Sequence, residues 1–295
     1  MANSQVIVVT GSNRGIGKGI VQLLATQQLE RPLIIYATSR SGADTEIEVS
    51  PPNEIRYRML DISDRSSIQS FFQLALKEHS AIDILINNAA VSNDYRETPE
   101  YAAQTVSTNY GGTRDMCEAF LSNLSYKPGS RIVNITSGYN QLSNYEPEIQ
   151  ERFRSVTKIS DIDALAESYL DAVRGGGEVQ QQSGWGSGAR SYKVSKALIN
   201  VTTIVLAQQN PDTMVNCCCP GWVDTDMGNQ AKGSPPKTLE EGARIPARLA
   251  IGDLGPKGDE AGGLGNESER ISGKFFENDN IMERGWGKAK LWLNL

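Results

Sequence analysis

The amino-acid sequence predicts a doubly wound α/β fold: one parallel, seven-stranded sheet with helices on both faces, in a single domain covering 1–295. Three observations carry that expectation. Short β-branched runs alternate with helical patterns along the chain. The runs are almost continuously apolar, as strands buried on both faces must be. Right-handed crossovers between parallel strands then distribute the helices over the two sides of the sheet.

The elements follow in order. Residues 6–9 form an apolar first strand, 34–38 a second, and 56–60 a weaker third. Residues 82–86 and 131–136 give the fourth and fifth, 214–218 the sixth and 274–276 the seventh. Helical spacing falls at 16–28, 65–78, 100–122, 191–209 and 238–250. Two stretches break the rhythm. Residues 138–190 contain a polar helical pattern at 161–173, then a loose segment rich in Gly, Gln and Ser at 174–188. Residues 252–272 are rich in Gly and acidic groups. Neither holds enough apolar residues for a core of its own, so both read as excursions from one domain. The 138–190 insertion and the 228–270 loops are expected to shape any pocket.

Bulk properties exclude several classes. A net charge of -6 and a pI near 5.1 disfavour nucleic acid and anionic membrane as partners. No apolar stretch approaches the roughly 18 residues of a membrane span. The first residues lack a basic segment, which argues against a secretory signal. Three of the four cysteines, Cys217, Cys218 and Cys219, are consecutive, and Cys117 cannot serve all three. Adjacent strand residues point to opposite faces, so this is no disulfide framework, and a reducing, cytoplasmic location follows. Cys218 or Cys219 either lies near a bound ligand or is simply buried, with ordinary burial the favoured reading. The single histidine, His79, reads as a solvated surface residue at a helix end. Asp224 and Asp226 have no His or Cys partner, so no metal site is expected and a solvated or capping role is read for them.

The first strand runs into Thr10, Gly11, Ser12, Asn13, Arg14, Gly15, Ile16 and Gly17, and a helix follows. Gly11 permits a tight exit, Gly15 lets backbone approach a pyrophosphate, and Gly17 lets helix and sheet pack closely. The helix N-terminus offers unpaired N–H groups to phosphates. This is a Rossmann-type dinucleotide-binding turn. Strand two ends at Thr38, Ser39 and Arg40, with no carboxylate to take a ribose 2′-hydroxyl. Arg14 and Arg40 suit a 2′-phosphate instead, which favours NADPH over NADH.

Tyr192 and Lys196 lie four apart at the start of a helix and share one face. An ammonium beside a phenol favours the charged form, so the Tyr192 pKa is expected to fall.

Taken together, these motifs resemble the short-chain dehydrogenase/reductase family over nearly the whole chain. The resemblance rests on the Thr10–Gly17 turn, Asp61 and Ile62 after strand three, Asn87-Asn88-Ala89-Ala90 after strand four, and Asn109. It continues through Ser137, the Tyr192/Lys196 pair, and Pro220-Gly221 after strand six. Ala90 departs from the glycine usual there. The resemblance implies that Ser137 binds the substrate carbonyl oxygen, Tyr192 donates its proton and Lys196 binds the nicotinamide ribose. It implies that Asn109 holds a water linking Lys196 to solvent, Asp61 contacts adenine, Asn87 the adenosine ribose region and Thr225 the carboxamide. Ile62, Pro220, Gly221 and Val223 complete the expected cofactor contacts.

Ser137 and Tyr192 are separated by a long insertion, which resembles the carbonyl reductase branch. Residues 152–155, Gly184-Trp185 and residues 220–227 add to that likeness. The branch implies NADPH, small aldehydes, ketones or quinones as substrates, and a monomer. Trp222 either lines an apolar pocket or packs on the sheet edge; Tyr139 and Met227 are lesser candidates for the wall, with simple packing the favoured reading for both. Two other readings compete. A nucleotide-sugar epimerase or dehydratase of the same fold usually has a different glycine spacing, and an NADP-sensing regulatory protein usually lacks the tyrosine or lysine.

Overall fold

The computed structural model describes residues 4–123, 129–252 and 271–295. Its sheet has the strand order β3-β2-β1-β4-β5-β6-β7-β8. The strands are β1 (Gln5–Thr10), β2 (Leu33–Ser39), β3 (Glu54–Met59), β4 (Ile84–Asn87), β5 (Arg131–Ile135), β6 (Met214–Cys218), β7 (Phe275–Glu277) and β8 (Lys288–Lys290). Pairings from β3 through to β7 are parallel, and β8 runs antiparallel to β7. The sheet therefore has eight strands, one more than the sequence indicates. The extra one is a three-residue Lys-Ala-Lys edge with no apolar signal, and charged, short edges are how sheets avoid further pairing.

Strand alternation divides the core. Ile7 and Val9 of β1 face α1 (Gly15–Ala25) and α9 (Leu239–Ile251), packing with Ile20, Leu24, Ala243 and Leu249. Val6 and Val8 face the other way, toward Phe71 and Phe72 of α2 (Arg65–Glu78) and Met116 and Phe120 of α4 (Gly112–Ser122). Helix α8 (Ser191–Gln209) is buried along most of its length on that same side. Helix α9 starts from a reciprocal cap, in which Thr238 Oγ1 accepts from Glu241 N and Glu241 accepts from Thr238 N.

The insertion is more ordered than its composition suggests. It forms α5 (Pro147–Arg154), α6 (Ile159–Arg174) and α7 (Gly177–Gln182). Tyr145, Phe153, Tyr169, Trp185 and Trp292 make a buried ring cluster with centroids 5.3–6.2 Å apart, continuous with Val194 and Leu198 of α8. The segment read as loose is held by polar anchors: Gln180 Nε2 donates to Gly186 O and Gly188 O, and Arg190 Nη1 donates to Trp185 O and Asn144 O. Most of 252–272 lies outside the described residues.

His79 is not a solvated residue. It ends α2 half-buried, its Nε2 lies 3.0 Å from Arg56 Nη1, and its ring meets Tyr36 edge-on. Burial pushes its pKa down.

Candidate active site

The strand order reverses between β1 and β4, so the chain leaves their carboxyl ends in opposite directions and opens a crevice there. A cleft of about 1170 Å³ occupies it. It joins the glycine turn to Ser137, Tyr192 and Lys196, all more than a hundred residues further along the chain.

At one end, Gly11 leaves β1 with φ of +64°. A Cβ there would lie 2.8 Å from Ala89 Cα. Asn88 ties the two loops together, its Nδ2 donating to Thr10 O and Gly11 O. Gly17 carries no ligand-facing atom; a Cβ on it would collide with Gly11 O, so its task is close packing. Ser12 is likewise buried and donates to Thr38 O. Helix α1 begins with no side-chain cap and no acidic residue in its first turn, which suits an anion. Arg14 and Arg40 both line this end. Arg14 Nη1 pairs with the Asp226 carboxylate at 2.9 Å, on an exposed surface. Asp226 is thus a partner of the cleft arginine while remaining solvent-exposed, as the sequence suggests.

Asp61, Ile62, Val223 and Thr225 line the same cavity. Asn87 does not. It is 4% exposed and turned into the core, where Nδ2 donates to Asn134 Oδ1 and approaches Cys117 Sγ. Asn87 is the last residue of β4 and points into the core, while Asn88, Ala89 and Ala90, beyond the strand, line the cleft.

At the other end, Ser137 lies two residues past β5 and caps a short 3-10 turn, its Oγ accepting from Tyr139 N at 3.2 Å. No described residue accepts its hydroxyl proton. Tyr192 Oη also has no protein partner among the described residues. Lys196 Nζ donates to Ile135 O at 2.8 Å and lies 5.6 Å from the Tyr192 ring centroid. Burial pushes the Tyr192 phenol well above its ordinary pKa and lowers Lys196 to about 8. The expected fall of the Tyr192 pKa is therefore absent. Without a hydrogen bond between ammonium and phenol, desolvation outweighs the attraction. A raised phenol is an intact proton donor at neutral pH.

Asn109 sits in a π-helical turn, Ser107–Gly111, between α3 (Pro99–Val106) and α4. It is fully buried and does not line the cleft. Its Nδ2 donates to Ser195 Oγ and Val91 O, and its Oδ1 accepts from Val91 N. These protein groups occupy its amide, which braces the loop after β4 against α8. Its side-chain N–H groups are both used by the protein, so any water it held would be met by a carbonyl oxygen.

Two carboxylates that sequence reasoning did not single out hold the start of α8. Asp94 accepts from Tyr192 N and Ser191 Oγ, and Glu97 from Arg190 N and Ser191 N, at 2.8–3.2 Å. They lie nearly a hundred residues away in sequence, so no local pattern could announce them.

Trp222 lines the cleft and its Nε1 donates to Gly228 O at 2.8 Å. Tyr139, 65% exposed, and Met227 line it as well. So does Cys219, while Cys218 is fully buried. All four cysteines are free.

The short chain dehydrogenase family profile matches residues 5–146. The chain is 33% identical to carbonyl reductase (NADPH) 1 of Macaca fascicularis, over 86% of this chain and 93% of that protein. Against the Homo sapiens enzyme of the same name the identity is 32%, over 83% and 90%. Among solved structures, salutaridine reductase from Papaver somniferum superposes with a TM-score of 0.71 and 25% identity, over 92% of this chain and 99% of that one. The NADPH-bound carbonyl reductase from chicken fatty liver shares the fold, at a TM-score of 0.62 and 21% identity over 99% and 96%. The protein is an oxidoreductase by fold and site. It belongs to the short-chain dehydrogenase/reductase family.

Proposed function

We propose that the protein is an NADPH-dependent carbonyl reductase that reduces small aldehydes, ketones or quinones, with Tyr192 as proton donor. The observation that carries this reading is the convergence of Ser137 and Tyr192, neither with its hydroxyl proton taken by a described residue, on a cleft continuous with the glycine turn. The residues fit the cofactor: an uncapped helix N-terminus for the diphosphate, Arg14 and Arg40 for a 2′-phosphate, and Lys196 for the nicotinamide ribose. The named relatives are NADPH enzymes.

When bound, NADPH supplies the hydride. Negative charge then builds on the carbonyl oxygen. The Ser137 and Tyr192 hydroxyls are donors already aimed into the cleft, and stabilising that charge is where such donors act. The Tyr192 proton completes the alcohol, contributing on the order of 10²–10⁴ in rate. Trp222, Tyr139 and Met227 provide the apolar wall of the substrate end.

A monomer fits this architecture, because insertion helix α6 packs on α3 and α8 and covers that face. Light scattering giving the monomer mass, and not a dimer, is the expected result. Four free thiols suit a reducing cytoplasm. Among the described residues no helix is long and apolar enough to cross a membrane.

The direct test offers purified protein NADPH, then NADH, with a neutral diketone or quinone. Consumption of NADPH far faster than NADH supports the reading. Tight NADPH binding without turnover across a carbonyl panel would instead favour the sensor alternative.

A further inference from the structure

We propose that Lys237 is an anion-binding residue of the cleft that recognises a carboxylate carried by the carbonyl substrate. The inference deepens the reductase reading and rests on it. Lys237 is 2% exposed and lines the cavity. Its backbone is pinned by a parallel bridge to Val223, with Asp224 N donating to Lys237 O at 2.8 Å. The end of its side chain lies along Gly221, where an added Cβ would collide with it. Gly221 thus makes the space that lets the ammonium reach this wall.

That ammonium has no hydrogen-bond acceptor and no ion-pair partner among the described residues. Most charged groups nearby are engaged elsewhere, and Glu283, which acts on Lys237 only through space, accepts from Asp279 N. Glu277 binds Lys290 at 2.9 Å, Glu241 binds Arg284 at 2.7 Å, and Asp279 binds Lys288. The nearest sulfur, Cys219 Sγ, accepts from Gly221 N at 3.3 Å, and burial pushes its thiol up, so it is no counter-ion. A buried ammonium without a partner is strongly disfavoured. An acceptor brought by a ligand relieves that penalty.

The position favours the substrate over the cofactor phosphates. The phosphate-binding features lie at Gly11, Gly15 and the start of α1. Lys237 sits beside Gly221, an expected cofactor contact on the nicotinamide side, and is within electrostatic reach of Cys219. Cys219 Sγ would lie 3.6 Å from a Cβ on Gly138, the residue after Ser137. Cys219 is also within electrostatic reach of Tyr192, Lys196 and Lys237 alike. The ammonium therefore stands at the reacting end of the cleft.

The test uses matched pairs: phenylglyoxylate and 3-benzoylpropionate, each against its methyl ester. Binding to the NADP⁺-loaded protein is measured by calorimetry, where no reduction occurs, and kcat/KM is measured with NADPH. At least one acid is expected to bind about tenfold to a hundredfold tighter than its ester, the ratio one charge-assisted hydrogen bond gives. Lys237→Gln abolishes that preference, Lys237→Arg keeps much of it, and neither changes the NADPH Kd by more than about twofold. Wild-type protein that binds acids no better than esters overturns the proposal without any variant. So does a Lys237→Gln protein that keeps the preference, or one whose main defect is NADPH binding. Turnover of the esters with no acid preference leaves the reductase reading intact and defeats only this inference. Acid preference in binding with no turnover of any carbonyl defeats the reductase reading and supports the anion site.

Discussion

The Asp94 carboxylate accepts a hydrogen bond from the backbone N–H of Tyr192 at 3.0 Å and another from the Ser191 hydroxyl at 2.9 Å. Tyr192, the proposed proton donor, is thus the second residue of a helix whose first turn is capped by a side chain from the loop after β4. A negative group at a helix N-terminus is favourable, and here it also fixes where the phenol begins. Asp94→Ala is expected to lower kcat about tenfold, with the NADPH KM within about twofold and the Tm lower by about 2–4 °C. Unchanged kcat alongside the lower Tm would reduce Asp94 to a purely structural cap.

The pH dependence follows from the two titrating groups. In the proposed reaction Tyr192 acts in its protonated form, and burial raises its pKa, so phenol ionisation is not expected to limit reduction in the ordinary range. Lys196 is lowered to about 8, so it loses its charge as pH rises through that value. The kcat/KM for NADPH reports the free enzyme and should fall with an apparent pKa near 8. Lys196→Arg should move that limb upward by more than a unit. A flat profile to about pH 10 would contradict a charge requirement at Lys196.

Cofactor choice is assigned to Arg14 and Arg40. Arg40→Ala is expected to raise the NADPH KM about tenfold and leave the NADH KM within about twofold, as loss of one charge-assisted contact would. Asp226→Asn frees Arg14 from an exposed ion pair, which is weak by nature, so NADPH binding should tighten by no more than a few-fold. Equal effects on both cofactors would remove the 2′-phosphate from the account.

Gly17 tests the packing of the turn. A side chain there meets the Gly11 carbonyl, which is backbone and cannot step aside. Gly17→Ala should cost about 1–3 kcal/mol and weaken NADPH binding together with stability. A variant with wild-type Tm and Kd would show that the helix can shift without penalty.

What was legible in the sequence is what local pattern and motif spacing encode. Helices α2 and α8 and strand β6 fall where periodicity places them, and the glycine turn, Ser137, Tyr192, Lys196 and Thr225 share one cleft. What was hidden depends on contacts distant in the chain. Trp185 lies in a Gly-rich stretch that looks loose until Gln180 and Arg190 anchor it. Asn87 turns into the core because β4 ends on it, and a motif that names two asparagines does not say where the strand stops. The Tyr192 shift was expected downward because spacing on one helix face reveals nearness to Lys196, while the drying of the cleft is a property of the assembled fold. Asp94, Glu97 and Lys237 carry no motif at all.

The central claim is tested most directly by Tyr192→Phe, assayed for NADPH binding by fluorescence and for turnover with a neutral diketone. The account predicts an NADPH Kd within about threefold of wild type and a kcat reduced by about 10²–10⁴, the contribution of a positioned proton donor. Turnover at the wild-type rate with NADPH bound would contradict it.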